Sequence, residues 1–152
     1  MGLFAGISPK IIVVASPTHF VFSRPDKDFR ISLGTFLFML MDEKHGFVRP
    51  FSIGEEISEE IKRADPNIIR IDPFDSDRPI KAGVFDREDL MHMLVEYGLR
   101  KCLELSRFHW KPEVNFIGAD RFSGTFQNPR KLFERILKSA GAGSIVFDQT
   151  DL

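Results

Sequence analysis

The fold of this chain is decided by residues 10–22, which read KIIVVASPTHFVF. The β-branched run at residues 11–15 predicts a buried strand, and Ser-Pro-Thr at 16–18 predicts a tight turn. Residues 19–23 then predict a second strand that returns beside the first. Alternating apolar residues over 29–33 indicate a third strand. Three strands joined by short turns form an antiparallel meander, which supplies one half of a sheet.

The second half of the chain alternates helices with strands. Asp86 is a good N-cap for a helix predicted to run to about Leu105, and Asn128 caps a second amphipathic helix. Strands are predicted at residues 112–117 and 143–148. Strands connected through helices lie parallel, because the connection has to cross the sheet before the chain can pair again.

Residues 34–79 interrupt this order with further strands and a short helix predicted over 52–65. The whole pattern predicts an α/β fold of the ribonuclease H-like type. Its mixed sheet carries flanking helices and a small α+β insertion. We expect residues 1–33 and 80–152 to form the core subdomain, and 34–79 to form the inserted small subdomain.

Composition and charge exclude several classes of protein. The chain has 152 residues and a formal net charge of -1, which gives no electrostatic reason to expect nucleic acid as a partner. No apolar run reaches the roughly 20 residues that span a bilayer. The single cysteine, Cys102, excludes an internal disulfide and a cysteine-based zinc site. With no signal-peptide pattern at its start, the chain is expected to be cytoplasmic.

Three segments resemble a known family. Residues 10–22 resemble, without gaps, the first phosphate segment of the MreB-type bacterial actins, IGIDLGTANTLVF. Residues 81–86, KAGVFD, are similar to the family's DGVIAD ahead of its core helix, and 111–114, KPEV, are similar to its KPRV. The resemblance implies an actin-like fold, and it implies a role in the cytoskeleton or in cell shape. It also implies that this chain corresponds to the first lobe of a two-lobed protein.

The positions that the family uses for nucleotide carry different residues here. Val13 stands at the family's Asp, which organises the metal and phosphates, and Ala15 stands at its Gly. Ser16 replaces Thr, and Thr18 replaces Asn. A valine cannot hold hydrated Mg²⁺, which requires oxygen ligands. We therefore expect a degenerate nucleotide site at Val13, Ala15, Ser16 and Thr18. We expect no catalytic residues, no metal and no ATP cofactor.

The resulting hypothesis is a non-catalytic, MreB-related interaction module. It would associate with itself or dock on a full-length actin-like filament protein, because surface normally covered by a second lobe needs a partner. Leu3, Phe4 and Ile7 form an apolar start that predicts weak membrane contact, making the protein membrane-peripheral. Two alternatives stay open. One is a weak ATP-binding protein using Ser16, Thr18 and the hairpin amides; the other is a divergent ribonuclease H-like enzyme with relocated carboxylates.

Other chemically interesting residues have simpler structural interpretations. No two histidines have the close spacing of a metal site, and His19 is the one that falls on a family site. The acids within residues 86–89 suit the start of a helix, and Cys102 suits a buried helix face. His109 and Trp110 have no assigned role.

Overall fold

The computed structural model describes residues 8–42, 47–74, 86–106 and 110–148. The chain divides into two compact units, Met1–Ser32 with Val95–Leu152, and Leu33–Leu94. The predicted insertion, residues 34–79, falls inside the second unit. Leu3, Phe4, Ile7 and His109 lie outside the described residues, as do residues 81–85 of the KAGVFD segment.

The regular elements follow one another as strands, then helices alternating with strands. They are β1 (Lys10–Ala15), β2 (His19–Arg24), β3 (Phe29–Gly34), β4 (Leu37–Asp42), β5 (Phe47–Ile53), α1 (Glu59–Ala64), β6 (Ile68–Ile71), α2 (Arg87–Leu103), β7 (Glu113–Ile117), α3 (Pro129–Ser139) and β8 (Ser144–Asp148). None of the helices in the described ranges is both long and apolar enough to cross a membrane.

Five strands form a mixed sheet in the order β3-β2-β1-β7-β8. β1 pairs antiparallel with β2, with Val13 opposite Phe22. β1 also pairs parallel with β7, and β7 pairs parallel with β8. The meander and the parallel second half predicted from the sequence are both confirmed, because the helical connections carry the chain across the sheet as the crossover rule requires.

One face of this sheet is covered by a cluster of phenylalanines. Phe116 stacks on Phe133 of α3 with ring centroids 4.6 Å apart, and Phe122 meets Phe133 at 5.2 Å. Phe20 joins the cluster from β2, and all four side chains are fully buried. α3 begins where Asn128 Oδ1 accepts a hydrogen bond from the Lys131 amide at 3.2 Å. The predicted cap therefore sets the apolar stripe of α3 against the sheet.

Among the described residues, the opposite face of the sheet carries partly and largely exposed side chains, and we call it the open face. Its side chains are the alternate residues of β1, β7 and β8. Across these strands Ile12 pairs with Asn115, and Asn115 pairs with Val146. Val14 pairs with Ile117 in the next row. Val14 is 36% exposed and Val146 is 48% exposed. The members of the open face are Ile12, Val14, Asn115, Ile117 and Val146.

The second unit holds a three-stranded antiparallel sheet in the order β5-β4-β6. Leu37, Met39 and Leu90 form its buried core. The helix expected over 52–65 is shorter than predicted: α1 covers Glu59–Ala64, and Ser58 Oγ caps it by accepting from the Ile61 amide. The helix was predicted from the four-residue spacing of Ile53, Ile57 and Ile61. The prediction failed at Ile53, which continues β5 and pairs with Leu37, because cross-strand pairing outweighs that spacing.

Candidate functional site

The candidate site lies where β1 and β7 end side by side. The two strands are parallel, so their carboxyl ends meet at one edge of the sheet. β2 runs antiparallel to β1, so the chain turns back at this edge after β1. After β7 the chain leaves the same edge in a different direction, through Gly118. Ligands of α/β sheets commonly bind at such a point. The residues that follow β1 form the hairpin of Ser16, Pro17 and Thr18, and β7 is followed by Gly118.

Three polar side chains are hydrogen-bonded to one another in the hairpin. Ser16 Oγ lies 3.0 Å from Thr18 Oγ1, and Thr18 Oγ1 lies 2.9 Å from His19 Nδ1. The Ser16 amide and the Ser16 hydroxyl both donate to the His19 carbonyl at 3.0 Å. Thr18 and His19 are exposed. This arrangement holds the hairpin in one shape, and it presents hydroxyl and imidazole groups that can hydrogen-bond an anion.

Two of the four predicted site residues face away from this cluster. Val13 and Ala15 are fully buried, because alternate residues of β1 point into the phenylalanine core. Ser16 and Thr18 are brought together as described, and His19 joins them. The side chain of Val13 offers no oxygen atom to Mg²⁺, so the residue at this position does not fit a metal–nucleotide complex.

Sequence reasoning did not assign Gly118 and Arg121 to the site, although both contact the end of β1 at this edge of the sheet. Gly118 has φ +99°, and a Cβ atom placed on it would lie 2.3 Å from the carbonyl oxygen of Ala15. Arg121 Nη1 donates to that same oxygen at 2.9 Å. A glycine directly after a predicted strand was a usable signal for a close backbone approach. Arg121 had no such signal, since its partner is a backbone atom.

The positive charge at the start of α3 is partly neutralised. Arg130 forms a forked ion pair with Asp120, with Nη2 to Oδ2 at 3.0 Å and Nε to Oδ1 at 3.2 Å. The hydrogen bond and the negative charge of Asp120 raise the pKa of Arg130. Further along α3, Lys138 lies 3.1 Å from Glu134. These pairs reduce the net positive charge that the arginines and lysines of α3 present.

The acidic cluster at the start of α2 serves as a helix cap. The Asp89 amide donates to Asp86 Oδ1 at 2.8 Å, and the Asp86 amide donates to Asp89 Oδ2 at 3.0 Å. This reciprocal pattern satisfies two amides that the helix itself leaves free. Asp148 ends β8. Within the described ranges, no group of three histidine, cysteine or acidic residues is placed to hold a metal ion.

Cys102 is buried beside a buried cation. Arg24 is 3% exposed, and its Nη1 donates to the Cys102 carbonyl and to Ser106 Oγ, both at 2.9 Å. Its Nε also donates to Asp26 Oδ1 at 3.0 Å. Burial raises the pKa of the Cys102 thiol to about 11, and the charge of Arg24 offsets only part of that rise. The thiol is therefore protonated at neutral pH and is a poor nucleophile.

Comparison with known proteins supports the fold. No family model and no curated protein matches this sequence. Two crystal structures of MreB5 from Spiroplasma citri, one bound to ADP and one to AMPPNP, superpose on this chain with a TM-score of 0.61. Their sequence identities are 9% and 10%, and each match covers 93% of this chain and 38% of the MreB5 chain. At this identity the likeness establishes the fold alone: this chain has the actin-like, ribonuclease H-like fold that its sequence predicts.

Proposed function

We propose that this protein is a non-catalytic actin-like interaction module that takes part in cytoskeletal or cell-shape assembly. It acts by associating with itself or by docking on a full-length actin-like filament protein. The observation that carries the proposal is the open face of the five-stranded sheet. Parallel strands are usually covered on both faces, since helices pack on either side of them. Here Val14 and Val146 remain 36% and 48% exposed.

A cavity beside the open face also favours a partner. It has a volume of about 570 Å³, and Ile12, Asn115 and Val146 contribute to its lining. Asn115 Oδ1 is buried and has no hydrogen-bond partner among the described residues. A buried acceptor without a donor is costly, and most such groups in folded proteins are satisfied. A docked partner that brings apolar side chains would cover the exposed part of this surface.

The candidate nucleotide edge supports the non-catalytic part of the proposal. Val13 is buried where the MreB-type segment carries Asp, and Arg121 already binds the Ala15 carbonyl. The side chains of Val13 and Ala15 supply no oxygen ligand for Mg²⁺. A nucleotide would therefore meet hydroxyl and imidazole groups at the hairpin without the metal centre that phosphate chemistry requires.

Weak ATP binding is the second candidate, and the hydroxyls of Ser16 and Thr18 favour it. The MreB5 structures hold ADP and AMPPNP. In this chain the two hydroxyls and the His19 ring lie together at the corresponding end of β1. Such a site would bind phosphate oxygens by hydrogen bonds alone.

Isothermal titration of the full chain with ATP and Mg²⁺ separates these two candidates. We expect no binding heat up to millimolar nucleotide, because Val13 provides no metal ligand. A matched titration of Thr18→Ala gives the control. Saturable heat in the wild type that disappears in Thr18→Ala would establish the ATP-binding alternative instead.

Analytical sedimentation of the full chain tests the proposed function itself. The interaction module is expected to form a dimer, or a complex with a polymerised actin-like protein. A chain that is monomeric up to millimolar concentration and also stays in the supernatant beside such polymers would contradict the proposal.

A further inference from the structure

Strand β8 is an edge of the five-stranded sheet that no other described strand covers. The sheet order ends at β8, and no strand of the described residues pairs with its outer side. Its interior residues, Ile145, Val146 and Phe147, include no charge, proline or glycine. Natural edge strands are usually protected from pairing with another chain by such residues. The opposite edge, β3, carries the exposed charge of Arg30.

The hydrogen bonds already formed show which backbone groups of β8 point outward. The Pro112 carbonyl, just before β7, accepts from the amides of Gly143 and Ser144 at 2.8 and 3.4 Å. The Glu113 amide donates to the Pro9 carbonyl on the β1 side at 2.9 Å, so Val114 and Phe116 bond toward β8. In a parallel ladder, alternate residues bond to the same neighbour. Ser144, Val146 and Asp148 therefore bond toward β7. The amides and carbonyls of Ile145 and Phe147 point away from the sheet, where they can accept a further strand.

We propose that β8 pairs antiparallel with β8 of a second copy of this chain, about a two-fold axis that passes beside Val146. In this register Ile145 lies opposite Phe147 of the second copy, and each such pair exchanges two hydrogen bonds. The amides and carbonyls of Ile145 and Phe147, which point outward, are the groups that form these hydrogen bonds. The inference rests on the proposed function, and it names the partner as a second copy and the interface as the β8 edge.

The side chains of β8 are self-complementary in this register. Exposed Asp148 falls opposite exposed Ser144 of the second copy, so a hydroxyl donor meets a carboxylate, and the two acids stay apart. Val146 falls opposite Val146 of the second copy in a non-hydrogen-bonded pair, where facing side chains approach most closely. The two open faces then join into one apolar surface.

A single pair of five-residue strands is smaller than the usual interface of about 1,600 Å², so the dimer is expected to be weak and concentration-dependent.

Cross-linking through Val146→Cys tests this register directly. Facing Cβ atoms in such a pair lie about 4.5–5.5 Å apart, close to the separation that a disulfide needs. Val14→Cys is the matched control, because Val14 lies on the same open face with similar exposure but on the central strand β1. The native Cys102 is buried, with its pKa raised to about 11, and so contributes little background. We expect Val146→Cys to form a disulfide-linked dimer about tenfold faster than Val14→Cys, since pairing raises the effective thiol concentration.

A second variant probes the same axis without a covalent bond. Val146→Lys places two like charges opposite each other and is expected to weaken dimerisation about tenfold, because directly opposed like charges destabilise a strand pair. Its far-ultraviolet circular dichroism should match that of the wild type, since Val146 is 48% exposed.

The possible outcomes separate this inference from the proposed function. A wild-type dimer with equal cross-linking of the two cysteine variants, or with an unweakened Val146→Lys variant, would overturn the β8 interface and leave self-association standing. A wild-type chain that stays monomeric would also overturn the β8 interface, and it would leave docking on a different protein as the remaining form of the proposed function.

Discussion

Replacing Phe133 with alanine is expected to lower the free energy of unfolding by about 3–5 kcal/mol, the range typical of a fully buried aromatic side chain. Phe133 is fully buried at the centre of the phenylalanine cluster. Its ring lies 4.6 Å from Phe116, 5.2 Å from Phe122 and 6.0 Å from Phe20. The loss combines the transfer of the ring out of the core with the cavity it leaves behind. Urea unfolding followed by circular dichroism measures the change.

Phe51→Ala is the matched control for this substitution. Phe51 is 46% exposed on β5, so its truncation should change the unfolding free energy by no more than about 1 kcal/mol. Similar losses for the two variants would show that Phe133 does not anchor α3 to the sheet, and the account of the core would then be incorrect.

Gly118→Ala is expected to destabilise the protein by about 2–4 kcal/mol, combining backbone strain with steric overlap. Gly118 has φ +99°, a region that side chains disfavour, and its Cβ would lie 2.3 Å from the Ala15 carbonyl oxygen. To make room, the ends of β1 and β7 would have to separate, which would also lengthen the bond from Arg121 to that oxygen. Thermal unfolding of the purified variant measures the effect.

Gly124→Ala controls for the general effect of replacing glycine. A Cβ at Gly124 meets no atom within 4 Å, so this variant should be as stable as the wild type or slightly more stable. If Gly118→Ala proved equally harmless, β1 and β7 would not be held together as tightly at this edge as the structure indicates.

Much of the fold could be predicted because its signals are local. The run at residues 10–15 and the cap at Asn128 each act over a few positions, and both appear where expected. The helix at 52–65 was placed too early because Ile53 has a partner, Leu37, that only the folded sheet reveals. The spacing of isoleucines alone does not distinguish the end of a strand from the start of a helix.

The candidate site was only partly predictable, for a related reason. Ser16 and Thr18 are two residues apart, so a turn at Pro17 was enough to bring their hydroxyls together. Arg121 and Arg24 bind the carbonyls of Ala15 and Cys102, which lie 106 and 78 positions away. A backbone carbonyl has no residue type of its own, so no sequence pattern marks such a contact.

Sedimentation velocity of the full chain, from micromolar to near-millimolar concentration, tests the central claim most directly. We predict a sedimentation coefficient that rises with concentration toward that of a dimer and is unchanged by ATP and Mg²⁺. In this account the chains associate through exposed sheet surface, and nucleotide binding is not required. A dimer that forms only when ATP and Mg²⁺ are added would contradict this account, as would a single monomeric species over the whole range that also fails to sediment with a polymerised actin-like protein.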